Sequence, residues 1–253
     1  MVKNFFAEGF TTNLKKRIPE EEEIISGKEG KLYANRKDDR SLNFSMVAYD
    51  ILERTHLDKN KKVLEVACGA GQLAYYLYHF TKNKNIIATD GSKELIAAAR
   101  ERYKNYPIKF FVKNIHNHSW KGKSDLVIIK DSFHHFKNPI QGMRELLSLI
   151  KKGGVLYIYD LTRDAPLKQI SRRLNTFEVE HEKKRFLASL NASLTLTEMR
   201  KLLKKLGITR FQYFYPLHFS TRNLDNHKSW IKKDETKEHT FHTLSRIYMI
   251  KKP

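Results

Sequence analysis

Cysteine is all but missing from this 253-residue chain: Cys68 stands alone. A single thiol excludes an internal disulfide and any metal site built from several thiolates, and it fits a reducing compartment such as the cytoplasm. Long apolar runs are missing as well. No stretch approaches the roughly 18 uninterrupted apolar residues of a bilayer-spanning helix, and the opening MVKNFFAEGFTTNLKKR has neither the apolar block nor the small-residue cleavage site of a secretory leader. Proline (6) and glycine (11) are sparse. No Pro/Gly/Ser linker divides the chain, and it shows no internal repeat or low-complexity tract. Acid is in deficit, with 28 Asp+Glu against 48 Lys+Arg and a net charge of +20. Such an excess points toward anionic partners: RNA, an acidic membrane surface or a phosphorylated substrate. The excess is spread along the chain and broken by the acidic run PEEEE at 19–23, so a lysine-rich composition accounts for it equally well. Charge alone selects no partner.

What is present is an alternation of strand and helix. A charged, irregular start leads to a helix in SLNFSMVAYDILERT, and from residue 61 the periods of two and 3.6 take turns. KVLEVA, NIIATD, IKFFVKN, SDLVIIKD and GGVLYIYD read as strands. GQLAYYLYHFT, SKELIAAARERYKN and NPIQGMRELLSLIK read as helices, with Ser92 as an N-cap and Pro139 in a first turn. This predicts an α/β fold, a mostly parallel sheet covered by helices on both faces, with ligands outside the C-terminal strand ends. The expected organisation is one domain in four stretches. An N-terminal helical segment (1–60) closes over a Rossmann-like core (61–160), followed by a helical cap (161–207) and two closing strands (208–253). Between those strands, ITRFQYFY and LSRIYMIKK, residues 216–240 read equally as a lid or a disordered loop.

The sparing use of glycine makes GAGQLA, at residues 69–74, informative. Gly69 and Gly71 sit where the first strand turns into the first helix, so a ligand can approach the backbone and the unpaired helix amides. Asp90 ends the second strand about twenty residues on, where a carboxylate accepts the hydroxyls of a ribose. The pattern formally admits a dinucleotide and hence an NAD enzyme. Glu65 argues against it, because a carboxylate near the phosphate place would repel a pyrophosphate and attract a cation. S-adenosylmethionine, with an ammonium, a sulfonium and no phosphate, suits the loop.

VLEVACGAG resembles the first motif of the class I S-adenosylmethionine-dependent methyltransferases, with Ala67 in place of the usual first glycine. ATDGSKELIAAAR is similar to the second motif and FFVKNI to the third, although Asn114 stands where many members carry an aspartate for the adenine amino group. SDLVIIKDSFHHFKNPIQGMRELLSLIKKGGVLYIYDLTR resembles the fourth and fifth motifs of the subgroup that includes the ubiquinone/menaquinone-biosynthesis methyltransferases. The resemblance covers residues 61–163. It implies a seven-stranded sheet, S-adenosylmethionine as methyl donor with S-adenosylhomocysteine as product, and a variable cap around the acceptor.

Carried over residue by residue, the resemblance implies a donor site of Glu65, Ala67, Gly69, Gly71, Asp90 and Gly91. Asn114 and Ile115 border the adenine, and Lys130 and Ser132 lie beside the transferred methyl. From the N-terminal segment, Tyr33 and Arg40 are candidates to meet the donor's carboxylate. His134 and His135 are candidate bases, since methyl transfer needs one only where the acceptor carries a proton; packing of the loop explains the pair as well. Asp160 and Arg163 are candidate acceptor contacts. Cys68 reads as a small turn residue. His116 and His118 lack partners at ligand spacing, so no metal site is expected.

These signs imply methyl transfer to a small or lipophilic molecule, anionic or lipid-like acceptors suiting the basic, apolar cap. RNA or tRNA methylation is the first alternative. Against it, KDSF stands where enzymes acting on nucleic-acid exocyclic amines carry Asn/Asp-Pro-Pro-aromatic, and Cys68 lies in the wrong loop for attack on cytosine. Transfer or cyclisation of the donor's aminobutyrate arm stays open, because the loop recognises the donor and not the bond broken. A binding module without turnover is a further alternative. Acceptor atom and oligomeric state are not legible.

Overall fold

The computed structural model describes residues 14–20, 24–34, 41–115, 122–216 and 244–252. Two helices, α1 (Gly27–Ala34) and α2 (Ser41–Thr55), precede the alternating region. There β1 (Val63–Val66), α3 (Gln72–Thr81), β2 (Ile86–Asp90), α4 (Lys93–Arg102) and β3 (Lys109–Val112) follow one another. Next come β4 (Ser124–Lys130), a 3₁₀ turn (Phe133–His135), α5 (Pro139–Ser148) and β5 (Ile150–Leu161). Three helices, α6 (Leu167–Leu174), α7 (Glu180–Ala192) and α8 (Leu196–Lys205), then lead to β6 (Gln212–Phe214) and β7 (Ser245–Lys251).

The seven strands form one sheet in the order β3-β2-β1-β4-β5-β7-β6. β7 alone runs against its neighbours β5 and β6, and the other described pairs are parallel. The expected fold class is what the structure shows. Side-chain period two decides the layering. Along β4, Leu126 and Ile128 enter one core and Val127 and Ile129 the other, all at most 2% exposed. The first face is covered by α2, α3 and α4 through Ile51, Leu73, Leu77 and Ile96, and the second by α5 and α8 through Met143, Leu146, Met199 and Leu203. Each such side chain stabilises the fold by roughly 1.5–3 kcal/mol.

Local signals end the helices where the sequence suggests. Ser92 accepts the Leu95 amide, Asn138 accepts that of Gln141 ahead of Pro139, and Thr195 with Glu198 closes a capping box on α8. Gly207 follows α8 at φ +75°. Two expectations change in extent. β5 starts at Ile150 rather than at the glycines, bulging opposite Ser124, and ITRFQYFY yields only the three residues of β6. The stretch 161–207 is not one cap: α6 and α7 share a small core of Ala165, Ile170, Leu174, Leu187 and Leu190, whereas α8 belongs to the sheet's second face. The insertion at 216–240 lies outside the described residues after its first residue, as do Arg40, His116 and His118. No helix among the described residues is long and apolar enough to cross a membrane.

One polar contact crosses the first core. Asp50 of α2 is 4% exposed, accepts a 2.6 Å hydrogen bond from the Tyr157 hydroxyl in β5 and pairs with Arg54 at 2.8 Å. Arg54 in turn lies 3.9 Å over the Phe214 ring. Tyr157→Phe should therefore lower unfolding free energy in urea by about 1.5–3 kcal/mol, the range for hydrogen bonds to a charged group. A loss within experimental scatter would show that the Tyr157 hydroxyl adds nothing to the other partners of Asp50.

Candidate functional site

The turn from β1 into α3 is bent by three left-handed residues: Ala67 at φ +55°, Gly69 at +56° and Gly71 at +83°. Gly71 is required twice over, since a Cβ there would stand 2.7 Å from the Phe110 ring. Gly69 has nothing within 4 Å of the place of a Cβ and lines the cavity above the loop, so a side chain would enter the space a ligand needs. Ala67 adopts a conformation costing a non-glycine residue roughly 1–2 kcal/mol. This is why related loops favour glycine at that place.

Asp90, at the end of β2, fixes the loop from the side. Its carboxylate accepts the Gly69 amide at 2.9 Å and the Ser92 amide at 2.8 Å, while burial raises its pKa against those bonds. Beside it Gly91 gives room to Ile24, whose Cδ1 would lie 2.7 Å from a Cβ there.

Glu65 projects from β1 beneath the loop, 3% exposed, and its Oε2 has no hydrogen-bond partner. Burial pushes its carboxyl up to about 8, although Lys130 and the Ala74 amide work the other way. Lys130, at the end of β4, lies 4.7 Å from the Phe44 ring centroid and 5.0 Å from that of Tyr159, and its ammonium contacts Asp131. That charge is already committed.

These groups surround a cavity of about 170 Å³. Of the expected donor residues, Glu65, Ala67, Gly69, Asp90 and Gly91 line it together with Asn114 and Ile115. Lys130, Ser132, Tyr33 and His135 also line it, whereas Gly71 supports the wall through α3 and Phe110. His134 is turned away. Asp160 accepts its backbone amide at 2.7 Å and meets its Nδ1 at 2.6 Å, and this carboxylate raises the pKa of His134 against the effect of burial. The structure gives Asp160 and Arg163 another job than meeting an acceptor, and neither lines the cavity. Arg163, 2% exposed, donates to the Leu14 and Ser193 carbonyls and to Glu198, holding the chain start and α8 to the end of β5. Cys68 is buried and its thiol pushed well up, as suits a turn residue. Asp131, between the expected Lys130 and Ser132, lines the cavity too; sequence reasoning missed Phe44 and Ile24 on the wall, and Glu20, which approaches His135. Phe44 could have been found from its place on a helix facing the sheet; the others depend on contacts remote in sequence.

The donor set tests what the cavity can hold. A buried carboxyl with one oxygen left without a partner, a backbone left open at Gly69 and a second carboxylate at a strand end fit a cation with a diol. A pyrophosphate would instead find no uncommitted charge at Lys130, which is held against Asp131. The arrangement is therefore that of a Rossmann-like domain with an adenosyl-sulfonium site.

The family described as "Methyltransferase domain" matches residues 57–190, more than half of the chain. The chain belongs to that family, whose methyl donor is S-adenosylmethionine. A putative methyltransferase, 235L, of Invertebrate iridescent virus 6 is 28% identical over 119 residues, 43% of this chain and 40% of that protein. A malonyl-[acyl-carrier protein] O-methyltransferase of Acetivibrio thermocellus is 29% identical over 112 residues, 44% and 40% of the two chains. The chain thus spans less than half the length of these curated relatives. The plantazolicin methyltransferase BpumL, solved with a desmethylPZN analogue and S-adenosylhomocysteine, superposes with a TM-score of 0.67 at 22% identity. That superposition covers 87% of each chain and shows a shared fold.

Glu65 yields a pH-dependent prediction. Its folded value of about 8 lies above the 4.5 of an ordinary glutamate, so the folded state binds the proton more tightly. The resulting penalty is absent below pH 4.5, grows as the unfolded chain ionises, and levels off above about 8. Glu65→Gln should therefore raise the melting temperature of the ligand-free protein, increasingly from pH 5 to pH 8. A pH-independent difference would mean that the carboxyl ionises normally.

Proposed function

We propose that the protein is an S-adenosylmethionine-dependent methyltransferase acting on a small or lipophilic molecule. The observation that carries this reading is the buried Glu65 carboxyl, its Oε2 without a hydrogen-bond partner, under an open glycine turn, a combination that favours a cationic donor over a phosphate. The sequence resemblance of residues 124–163 to the ubiquinone/menaquinone-biosynthesis subgroup supports a small acceptor over RNA.

The bound donor supplies a methyl group already activated on sulfur, so the protein's contribution is chiefly position. Asp90 would meet the ribose hydroxyls with lone pairs not used by Gly69 and Ser92. Glu65 would face the methionine end, with Gly69 and Ala67 bringing main chain close to it. Asn114 and Ile115 would flank the adenine, and Tyr33 would close the cavity from α1. Lys130 and Asp131, held against each other, would keep the wall beside the reacting carbon rigid. Ser132 is steadied by its own bond to the Lys130 carbonyl at 3.0 Å.

Calorimetric titration tests the donor site. S-adenosylmethionine and S-adenosylhomocysteine should bind and NADH should not. Asp90→Ala should weaken adenosyl binding by about 10–100-fold, from the 1.5–3 kcal/mol of a hydrogen bond to a charged group. Tight NADH binding in place of the adenosyl ligands would replace this reading with an oxidoreductase.

A further inference from the structure

The chain start is fastened to the turn after β4. Arg17 donates to the carbonyls of His134 at 3.0 Å, Phe136 at 2.6 Å and Ala192 at 2.6 Å, and the Ile18 amide donates to the Asn191 carbonyl at 3.0 Å. This places Glu20 at the edge of the cavity, with its Oε2 2.5 Å from His135 Nδ1, an ion-pair distance reached off the line of an ideal hydrogen bond. The neighbouring ring is immobile. His134 stands 4.3 Å from His135 between ring centroids and is bound by Asp160 at both its amide and its Nδ1. Glu20 is an anion at any physiological pH: burial works to raise its pKa, but His135, His134 and Ser189 together hold it at about 2.

His135 lines the cavity beside Asp131 and Ser132, and its Nδ1 is buried against Glu20. Nε2 is the nitrogen left for an acceptor. A carboxylate behind one imidazole nitrogen fixes the tautomer and stabilises the imidazolium formed when the other nitrogen takes a proton. The charged and titratable groups facing His135 are Glu20, Asp90, Asp131, His134 with Asp160 behind it, and Arg17. Lys113 and Lys130 line the same cavity, but Lys130 is held against Asp131, and the charge in contact with the ring is that of Glu20. An anionic acceptor would be repelled there, and a carboxylate, already deprotonated, would have no use for a base.

We propose that Glu20 and His135 form a proton-accepting pair at the acceptor end of the cavity, and that the acceptor is an amine. This rests on the methyltransferase reading. The nitrogen lone pair forms the new bond to the methyl carbon. The carbon–sulfur bond breaks with its electrons left on sulfur, and the N–H proton passes to His135 Nε2. Glu20 acts through His135 and is a positioning residue.

The test is nitrogen-15 NMR of the histidine rings in EDTA-treated protein saturated with S-adenosylhomocysteine. Expected is a His135 ring protonated at Nδ1, the tautomer that the charge of Glu20 favours, a state lost in Glu20→Gln and partly kept in Glu20→Asp. n-Butylammonium should move the Nε2 resonance and butyrate should not. A ring protonated at Nε2, a signal indifferent to Glu20→Gln, or a shift by butyrate alone or by neither probe would overturn the proposal. So would stoichiometric binding of Zn²⁺ that abolishes the Nδ1 proton. Ligand atoms of Glu20, His134 and His135 lie within 4.8 Å of one another, and that result would make the cluster a metal site instead. Failure of the methyltransferase reading is separately visible as a protein that does not bind S-adenosylhomocysteine, and it would remove this inference with it.

Discussion

The contact on which the site depends is the 2.9 Å bond from the Gly69 amide to the Asp90 carboxylate. β1 and β2 are parallel neighbours with Val66 opposite Thr89, so their C-terminal ends emerge side by side. Past β1 the loop, with three left-handed residues in five, keeps a strand-like bond from the Cys68 amide to the Thr89 carbonyl at 2.9 Å and a turn bond from the Gly71 amide to the Cys68 carbonyl at 3.0 Å. Asp90 adds the side-chain hold and, through its other oxygen and the Ser92 amide, also sets the start of α4. One carboxylate therefore ties the cavity floor to the direction of a covering helix. The first strand can then present Glu65 upward without collapse of the turn above it.

Two carboxyls at this site, Glu65 buried and Glu20 half-buried, are driven in opposite directions by the same physics. Glu65 loses water and gains little, so its proton stays on. Glu20 also loses water but meets two imidazoles and a hydroxyl, and its proton leaves. Burial alone accounts for Glu65 but not for Glu20, where the partners decide. The cavity thus keeps one acid that awaits a cation and another that already faces histidine.

Much of the architecture was legible because its determinants are local. The periods of two and 3.6, the Ser92 and Asn138 caps and the paired glycines lie within a few residues of what they control. Asp90 was also legible, since adjacent parallel strands fix the spacing between loop and carboxylate. Other features were hidden because they depend on chain remote in sequence. Glu20 and Arg17 reach the turn after β4 from more than a hundred residues away. Asp160 and Arg163 stand at a strand end where acceptor contacts are expected, and only tertiary packing turns them toward His134, Leu14 and Glu198. α8 reads as one helix of a cap until Met199 and Leu203 are seen in the core of the sheet. The short extent of β6 was equally closed to local reading, as its register is set wholly by β7.

The reversal of β7 has a consequence for chain economy. Phe214 stands opposite Ile247 at adjacent positions of one antiparallel ladder, so the roughly thirty residues between them depart from and return to a single spot. Closing such a span rather than a four-residue turn costs only about 2 kcal/mol, because closure entropy grows with the logarithm of length. The hydrogen-bond register there is indifferent to how much chain is threaded through the gap. Growth or loss of sequence at this junction is therefore a cheap change of size for the fold.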